Sequence, residues 1–332
     1  MIRIFTAWLA LATLLSACAP GVGGGAAHVS PIRGDAEIAA VVELLRAEDR
    51  RELDLPRVEA IAASDNPELR RRSALAAGRI RDRRALPLLL RLLGNPDSAV
   101  AATAAFALGH LGDTAAVPSL TPLLDLERAT SSPSVAGAAA LALGKARTAE
   151  GRRALLTLLA HASVVEPPSE AVAGALLAVW KFPRDSGSDT SPIVRWTSAP
   201  DAELRWRAVY ALTRRPDPAA VSALARATED SDWRVRSLAL RGLAAPLADS
   251  SGFGAVAARG VLLHALEDAD FRVRVNAARA LGTHPHPESA RALTAHLSGG
   301  DPHLAIAAAE ALGRLGTAAS TAAPTLRALA LD

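Results

Sequence analysis

One apolar residue recurs along the chain in the same company each time: Leu69, Val100, Val135, Val172, Leu204, Val235, Val273 and Leu304. Three residues before these anchors stand Asn66, Asp97, Ser132, Ser169, Asp201, Asp232, Asp270 and Asp301. Each carries a side-chain oxygen that can accept a hydrogen bond from an orphan amide in the first turn of a helix. Pro67, Pro133 and Pro302 follow at the first helical position, where the missing N–H costs nothing. Four, seven and eight residues after the anchor, the chain places Ala, Leu or Val almost every time, which is one apolar stripe of helical period. Nine residues after it come Gly78, Gly109, Gly144, Gly282 and Gly313, which predicts a helix ending there in a left-handed turn. Lys181, Thr213 and Ala244 hold that place in the other three copies.

A second apolar stretch follows each predicted helix, as in Ala85-Leu86-Pro87-Leu88-Leu89 and Ala116-Val117-Pro118-Ser119-Leu120. Successive anchors are 31 to 38 residues apart, room for a helix, a tight turn, a second helix and a link. Asp35 with Ile38 repeats the start once more, and a short helix from Pro56 to Ala63 completes an N-terminal capping pair. Aromatic residues make up only 3% of a chain that is 50% apolar, which suits closely packed helices better than a sandwich or barrel. Two stretches break the rhythm, Pro183 to Pro192 and Pro246 to Gly254, and read as loops within repeats.

Val273-Arg274-Val275-Asn276-Ala277-Ala278-Arg279-Ala280-Leu281-Gly282 resembles the consensus of HEAT repeats, in particular the short bacterial kind found in phycobilin lyases. The resemblance covers residues 35–332. It implies an all-α fold, a right-handed α-solenoid of about eight helical hairpins behind the capping pair, with the second helix of each hairpin on the concave side. At the usual 8–10 Å between packed helices, the arc would measure on the order of 80 Å.

The first residues carry a different signal. Met1-Ile2-Arg3 precedes an apolar run from Ile4 to Leu15, the length of a signal h-region and too short to span a bilayer. It ends in Leu15-Ser16-Ala17-Cys18, which resembles the bacterial lipobox. That implies a leader over 1–17, a lipid on the only cysteine, Cys18, and a flexible tether over 18–34 that holds four glycines between Pro20 and Ala27. Ala19 after the cysteine favours the outer membrane, and hence an envelope protein facing the periplasm, held to the membrane through the Cys18 lipid alone. One cysteine excludes a disulfide framework.

Signs of chemistry are few. Enzymatic members of the resembled family use repeated His-Glu pairs, and no His-Glu dipeptide occurs here. His286 and His296 fall at opposite ends of one predicted helix, about 15 Å apart, and cannot share a metal. Neither a Ser-His-Asp set nor a phosphate-cradling glycine loop is indicated, so no catalytic residue, metal or cofactor is expected. The net charge of +3 arises from nearly balanced totals of 37 basic and 34 acidic residues, which gives no reason to expect nucleic-acid binding.

Arginines recur beside the caps, in Trp233-Arg234-Val235-Arg236 and Phe271-Arg272-Val273-Arg274, with Arg70 to Arg72, Arg205 and Arg207 in equivalent turns. The simpler reading is a ladder in which an arginine of one repeat pairs with an acid of the next; the other is an anion-binding stripe. Beyond Trp8, the tryptophans all lie between Trp180 and Trp233. Trp180 occupies a core column. Trp206, two residues past its anchor, faces about 200° away from the stripe. Rings filling gaps around the irregular fourth repeat is one reading; a partner-binding patch of Trp196, Trp206 and Trp233 with Arg226 is the other. The expected function is a non-catalytic, lipid-anchored, monomeric scaffold that binds another protein on its concave surface. The rival is the front module of a cyclophilin-type peptidyl-prolyl isomerase, because Leu44-Leu45-Arg46-Ala47-Glu48-Asp49-Arg50-Arg51 resembles the opening of such arrays.

Overall fold

The computed structural model describes residues 31–182, 189–214, 217–244, 249–298 and 300–329. The leader, Cys18, the tether as far as residue 30 and parts of both predicted loops lie outside the described residues. Among those described there is no strand, and the chain is a succession of helical hairpins. The N-terminal pair is α1 (Gly34–Arg50) and α2 (Leu55–Ala62). Then come α3 (Pro67–Ile80) with α4 (Leu86–Leu93), and α5 (Ser98–Leu111) with α6 (Val117–Leu120), which a 3-10 turn extends to Leu124. A short α7 (Leu126–Ser131) links to α8 (Pro133–Ala146) and α9 (Ala149–His161). Next are α10 (Ser169–Val179) with α11 (Ser191–Val194), and α12 (Ala202–Arg214) with α13 (Val221–Ala227). The series closes with α14 (Trp233–Ala239) and α15 (Ala255–Ala265), α16 (Phe271–Leu281) and α17 (Pro287–Ala295), then α18 (Pro302–Leu315) and α19 (Ala323–Leu329). No described helix is long and apolar enough to cross a membrane.

The eight anchors sit in α3, α5, α8, α10, α12, α14, α16 and α18, and none is more than 6% exposed. Six of the eight expected caps form: the side chains of Asn66, Asp97, Asp201, Asp232, Asp270 and Asp301 each accept from an amide of the first turn. Ser132 precedes α8 without such a bond, and α10 starts at Ser169 itself, behind Pro168.

Of the glycine column only Gly282 ends its helix, following α16 directly but with φ −60° and not left-handed. α3, α5 and α8 run on past Gly78, Gly109 and Gly144, and the left-handed turn falls on Arg81 (φ 62°), Gly112 (φ 71°) and Arg147 (φ 56°). What these glycines supply is room. A Cβ on Gly78 would stand 2.6 Å from Ala107 Cα, one on Gly109 2.8 Å from Ala142 Cα, and one on Gly144 2.7 Å from Ala178 Cβ. On Gly282 it would stand 3.0 Å from Ala311 Cα. Each glycine therefore receives the backbone of the next anchor-bearing helix.

This close approach corrects the expected curvature. The anchor-bearing helices lie against their successors throughout the array, most extensively from α3 to α10, whereas the second helices of neighbouring hairpins meet sparingly. A double layer bends toward the layer with the shorter spacing. The concave side is thus lined by α3, α5, α8, α10, α12, α14, α16 and α18, not by the second helices.

Arginines stitch the hairpins together, as the ladder reading expects. Arg205 on α12 donates from Nε and Nη2 to Asp230 at 2.7 and 2.9 Å, ahead of α14. Arg236 on α14 does the same to Asp268 at 2.8 and 2.9 Å, and Arg274 on α16 reaches Asp301 at 2.7 Å. Each also turns Nη1 onto two backbone carbonyls of its own link, for instance Arg236 onto Asp230 and Ser231. Burial raises the affinity of Asp230 and Asp268 for a proton, but the arginines and the amides of Asp232 and Asp270 more than reverse it, so both carboxyls lie below the ordinary range. Stability from these pairs is complete above the ordinary Asp range and is lost as pH falls through the depressed native values.

Two predictions follow from this packing. Gly144→Ala should destabilise by about 1–3 kcal/mol through overpacking against α10, despite its better helix propensity. Gly313→Ala lies in the same column with nothing within 4 Å of the added methyl, and should stabilise by up to about 1 kcal/mol. Denaturant titration of both variants checks the pair; equal signs would remove the close-approach argument. Arg236→Ala should cost about 1–3 kcal/mol at pH 7 and much less near pH 2. Thermal melts at the two pH values measure the difference.

Candidate functional site

Helical arithmetic places residues three, six and ten after an anchor about 240–300° around from it, which on α12, α14 and α16 is the solvent side of the concave layer. At the middle of the array such positions (Arg207, Leu238, Arg241 and Asn276) and residues beside them form a trough. One part, about 590 Å³, is walled by Leu177, Trp206, Arg207, Trp233, Leu238, Arg241 and Asn276. Leu177, Glu203 and Arg207 also border a second part of about 550 Å³ that extends past Ala173, Gly174 and Leu141 to Phe106. Small residues set its depth: Gly137 and Gly174 bring α8 and α10 so close that a Cβ on Gly174 would stand 2.5 Å from the Gly137 carbonyl oxygen.

Trp206 lies on α12, half-buried, its ring stacked on Tyr210 one turn later at 5.7 Å and 23°. Tyr210 meets Trp180 edge to face at 6.0 Å, and the Arg214 guanidinium lies 4.7 Å above the Trp180 ring. Trp233 opens α14 with the Arg272 guanidinium 3.3 Å over its ring. Between the two tryptophans, Glu203 accepts from Arg207 at 2.9 Å and from Arg234 at 3.0 Å, fixing α12 to α14 across the floor. Asn276 donates to Ser237 Oγ at 2.7 Å on the far wall. The result is a trough with rigid aromatic rims and paired charges at its base, suited to holding an extended apolar-and-polar chain. Among the described residues no carboxylate pairs with exposed Arg241 on that wall.

The expected patch is only partly assembled. Trp206 and Trp233 share the trough. Trp196 does not: it is fully buried, and its Nε1 donates to the Leu159 carbonyl at 2.9 Å. The helical part of α11 is only Ser191–Val194, too short to cover α9 with aliphatic side chains, and the indole fills the space. Arg226 is exposed but sits on α13, in the second-helix layer, away from both tryptophans. Trp180, expected in the core, is half-buried and joins the aromatic run instead. Tyr210, Leu177, Leu238 and Asn276 were not foreseen. Their spacing from the anchors could have found three of them, since Leu238 and Asn276 stand three and Tyr210 six residues past an anchor.

His286 and His296 cap the two ends of α17, as spaced in the sequence. His284 is buried, its Nε2 2.7 Å from the Leu243 carbonyl oxygen, and burial lowers its pKa. Among the described residues no group of His, Cys, Asp and Glu is placed to hold a metal ion.

No curated protein matches the sequence significantly. Solved structures do share the fold. YibA of Escherichia coli is 13% identical, with a TM-score of 0.58 over 87% of this chain and 99% of that one. An engineered protein is 23% identical, with a TM-score of 0.56 over 86% of this chain and 82% of its own. Importin beta gives a TM-score of 0.56 at 16% identity, with 89% of this chain matched to 44% of that protein. The family model for HEAT repeats matches residues 55–129, 190–251 and 260–332, more than half of the chain. The repeated capped helix, the buried anchor and the matched segments agree, and the chain belongs to the HEAT-repeat family.

Proposed function

We propose that this protein is a non-catalytic scaffold, lipid-anchored in the cell envelope, that captures another protein in the trough between Trp206 and Trp233. The observation that carries the reading is the pair of half-buried indoles on a surface whose nearby charges, Glu203 and Asp232 with Arg207 and Arg234, already neutralise one another. Large rigid aromatic rings in a preformed groove provide contact area without an ordering cost on the scaffold's side. The envelope location rests on Leu15-Ser16-Ala17-Cys18 and the apolar leader before it. With Ala19 next, we place the anchor in the outer membrane with the solenoid in the periplasm.

A photoreactive phenylalanine analogue at position 206 should give a discrete cross-linked adduct in the native cell. The same label at Val165, exposed outside the trough, should not. Trp206→Ala should leave helicity unchanged and weaken capture at least tenfold; unfolding instead would assign the ring to stability alone. Intact mass of the detergent-extracted native protein tests the anchor. Cys18 to Asp332 plus a lipid adduct is the expected value. A mass greater by a whole domain would favour the isomerase reading.

A further inference from the structure

The chain has only two lysines, and they stand on neighbouring helices of the concave layer. Lys145 lies at the end of α8 and Lys181 just past α10. Arg147 follows Lys145 at the left-handed turn, and Arg81 occupies the same turn after α3. His110 lies between them on α5. Among the described residues no carboxylate pairs with Arg81, Lys145, Arg147 or Lys181, although elsewhere the arginines are tied to acids hairpin after hairpin. The cations instead act on one another. Burial lowers the pKa of Lys145, with Lys181 and Arg81 adding to it; burial and Arg147 do the same to Lys181. His110 is lowered by burial, then by Lys145, Arg81 and Arg79.

Helix C-termini favour cations, so some of this charge could serve the helix dipole. The backbone argues for more. Arg81 and Arg147 hold φ values of 62° and 56°, a region costly for any residue with a Cβ. The equivalent turn after α5 is made by Gly112, so the fold itself is satisfied by glycine there. Arg81 and Arg147 thus hold a strained backbone, exposed and with no carboxylate partner among the described residues, at turns where glycine suffices; Arg51 after α1 has the same conformation (φ 54°) outside this row.

We propose that Arg81, His110, Lys145, Arg147 and Lys181 form a cationic rail that binds an extended acidic segment of a protein partner. From α3 to α10 the rail crosses three helix-to-helix steps, about 25–30 Å, which an extended segment of about eight residues spans. Its place on the concave layer favours a chain that follows the curve over a flat bilayer surface. The exposed ring of Phe106 lies beneath Lys145 Nζ at 5.0 Å and meets the His110 ring at 4.5 Å, tilted by 57°, holding the middle of the rail in place. The rail rests on the protein-binding reading of the concave surface for the class of its occupant, and Phe106 joins it to the trough.

Binding of a fluorescent octaglutamate peptide to the full chain, followed by anisotropy at low and high salt, tests the rail. The peptide should bind at low salt and weaken steeply with ionic strength, while an octaglutamine control should not bind. Lys145→Gln with Lys181→Gln should weaken it at least tenfold. Arg147→Gly should also weaken it while raising Tm, a combination that a purely structural role does not give. Absence of octaglutamate binding, binding indifferent to these substitutions, or lysine-dependent binding of phosphatidylglycerol vesicles without peptide binding would each overturn the rail. Loss of the rail with the position-206 adduct intact leaves the trough reading standing. Peptide binding that depends on the lysines, without any adduct at 206, does the reverse.

Discussion

The close contact of glycine in one concave helix with alanine in the next governs this molecule. It sets the spacing of the inner layer below what the outer layer can match, and the difference bends the array. It also decides which side chains can serve as a surface. With the inner helices meeting through Gly78, Gly109, Gly144 and Gly282, their remaining side chains have one direction open, toward the concavity. Aromatic residues are scarce in this chain because rings would push apart a layer built at alanine distances. Where the tryptophans and the tyrosine gather, around α10 to α14, the glycine column is interrupted by Lys181, Thr213 and Ala244, and the trough opens.

Charge is organised by the same repetition. An arginine one residue past the anchor reaches the link ahead of the next hairpin, satisfies two loop carbonyls and grips an aspartate. A single exposed ion pair contributes ~0–1 kcal/mol, but these guanidiniums are mostly shielded and carry backbone groups that would otherwise lack partners. The ladder also explains why a nearly neutral chain can hold a local cationic row. The ladder is regular from α12 onward, at Arg205, Arg236 and Arg274, whereas the cations of the row stand without a carboxylate partner among the described residues at the helix ends from α3 to α10.

Much of this was legible in the residues, and the failures are physical. The anchor column identified every concave helix, because burial of one apolar side chain per hairpin is the strongest local constraint in a solenoid. The caps were legible wherever Asp or Asn stood three residues ahead. The glycine column was assigned to the wrong job: glycine at a helix end and glycine at a helix crossing look identical in one dimension, and only the facing Ala107, Ala142 and Ala178 distinguish them. The curvature error has the same root, since spacing between layers is a property of pairs of helices. Trp196 could not be placed either, because its burial depends on the shortness of α11, and element lengths are the least secure part of a sequence reading.

Trough and rail together suggest a division of labour within one surface. On the proposed reading the trough offers half-buried rings, which a partner would desolvate and which would set how long it stays; the rail offers unpaired charge, which acts at longer range and would set how fast and in which direction it arrives. Phe106 connects the two, being both a wall of the trough and the support beneath Lys145. A partner segment that reads apolar at one end and acidic at the other would satisfy both in a single orientation. Reversing it would lay carboxylates on the aromatic rims and apolar groups on unpaired cations, which is unfavourable at both ends. Directional binding of this kind needs no moving part in the solenoid, only a gradient of chemistry along a curve that the glycine–alanine contacts hold rigid.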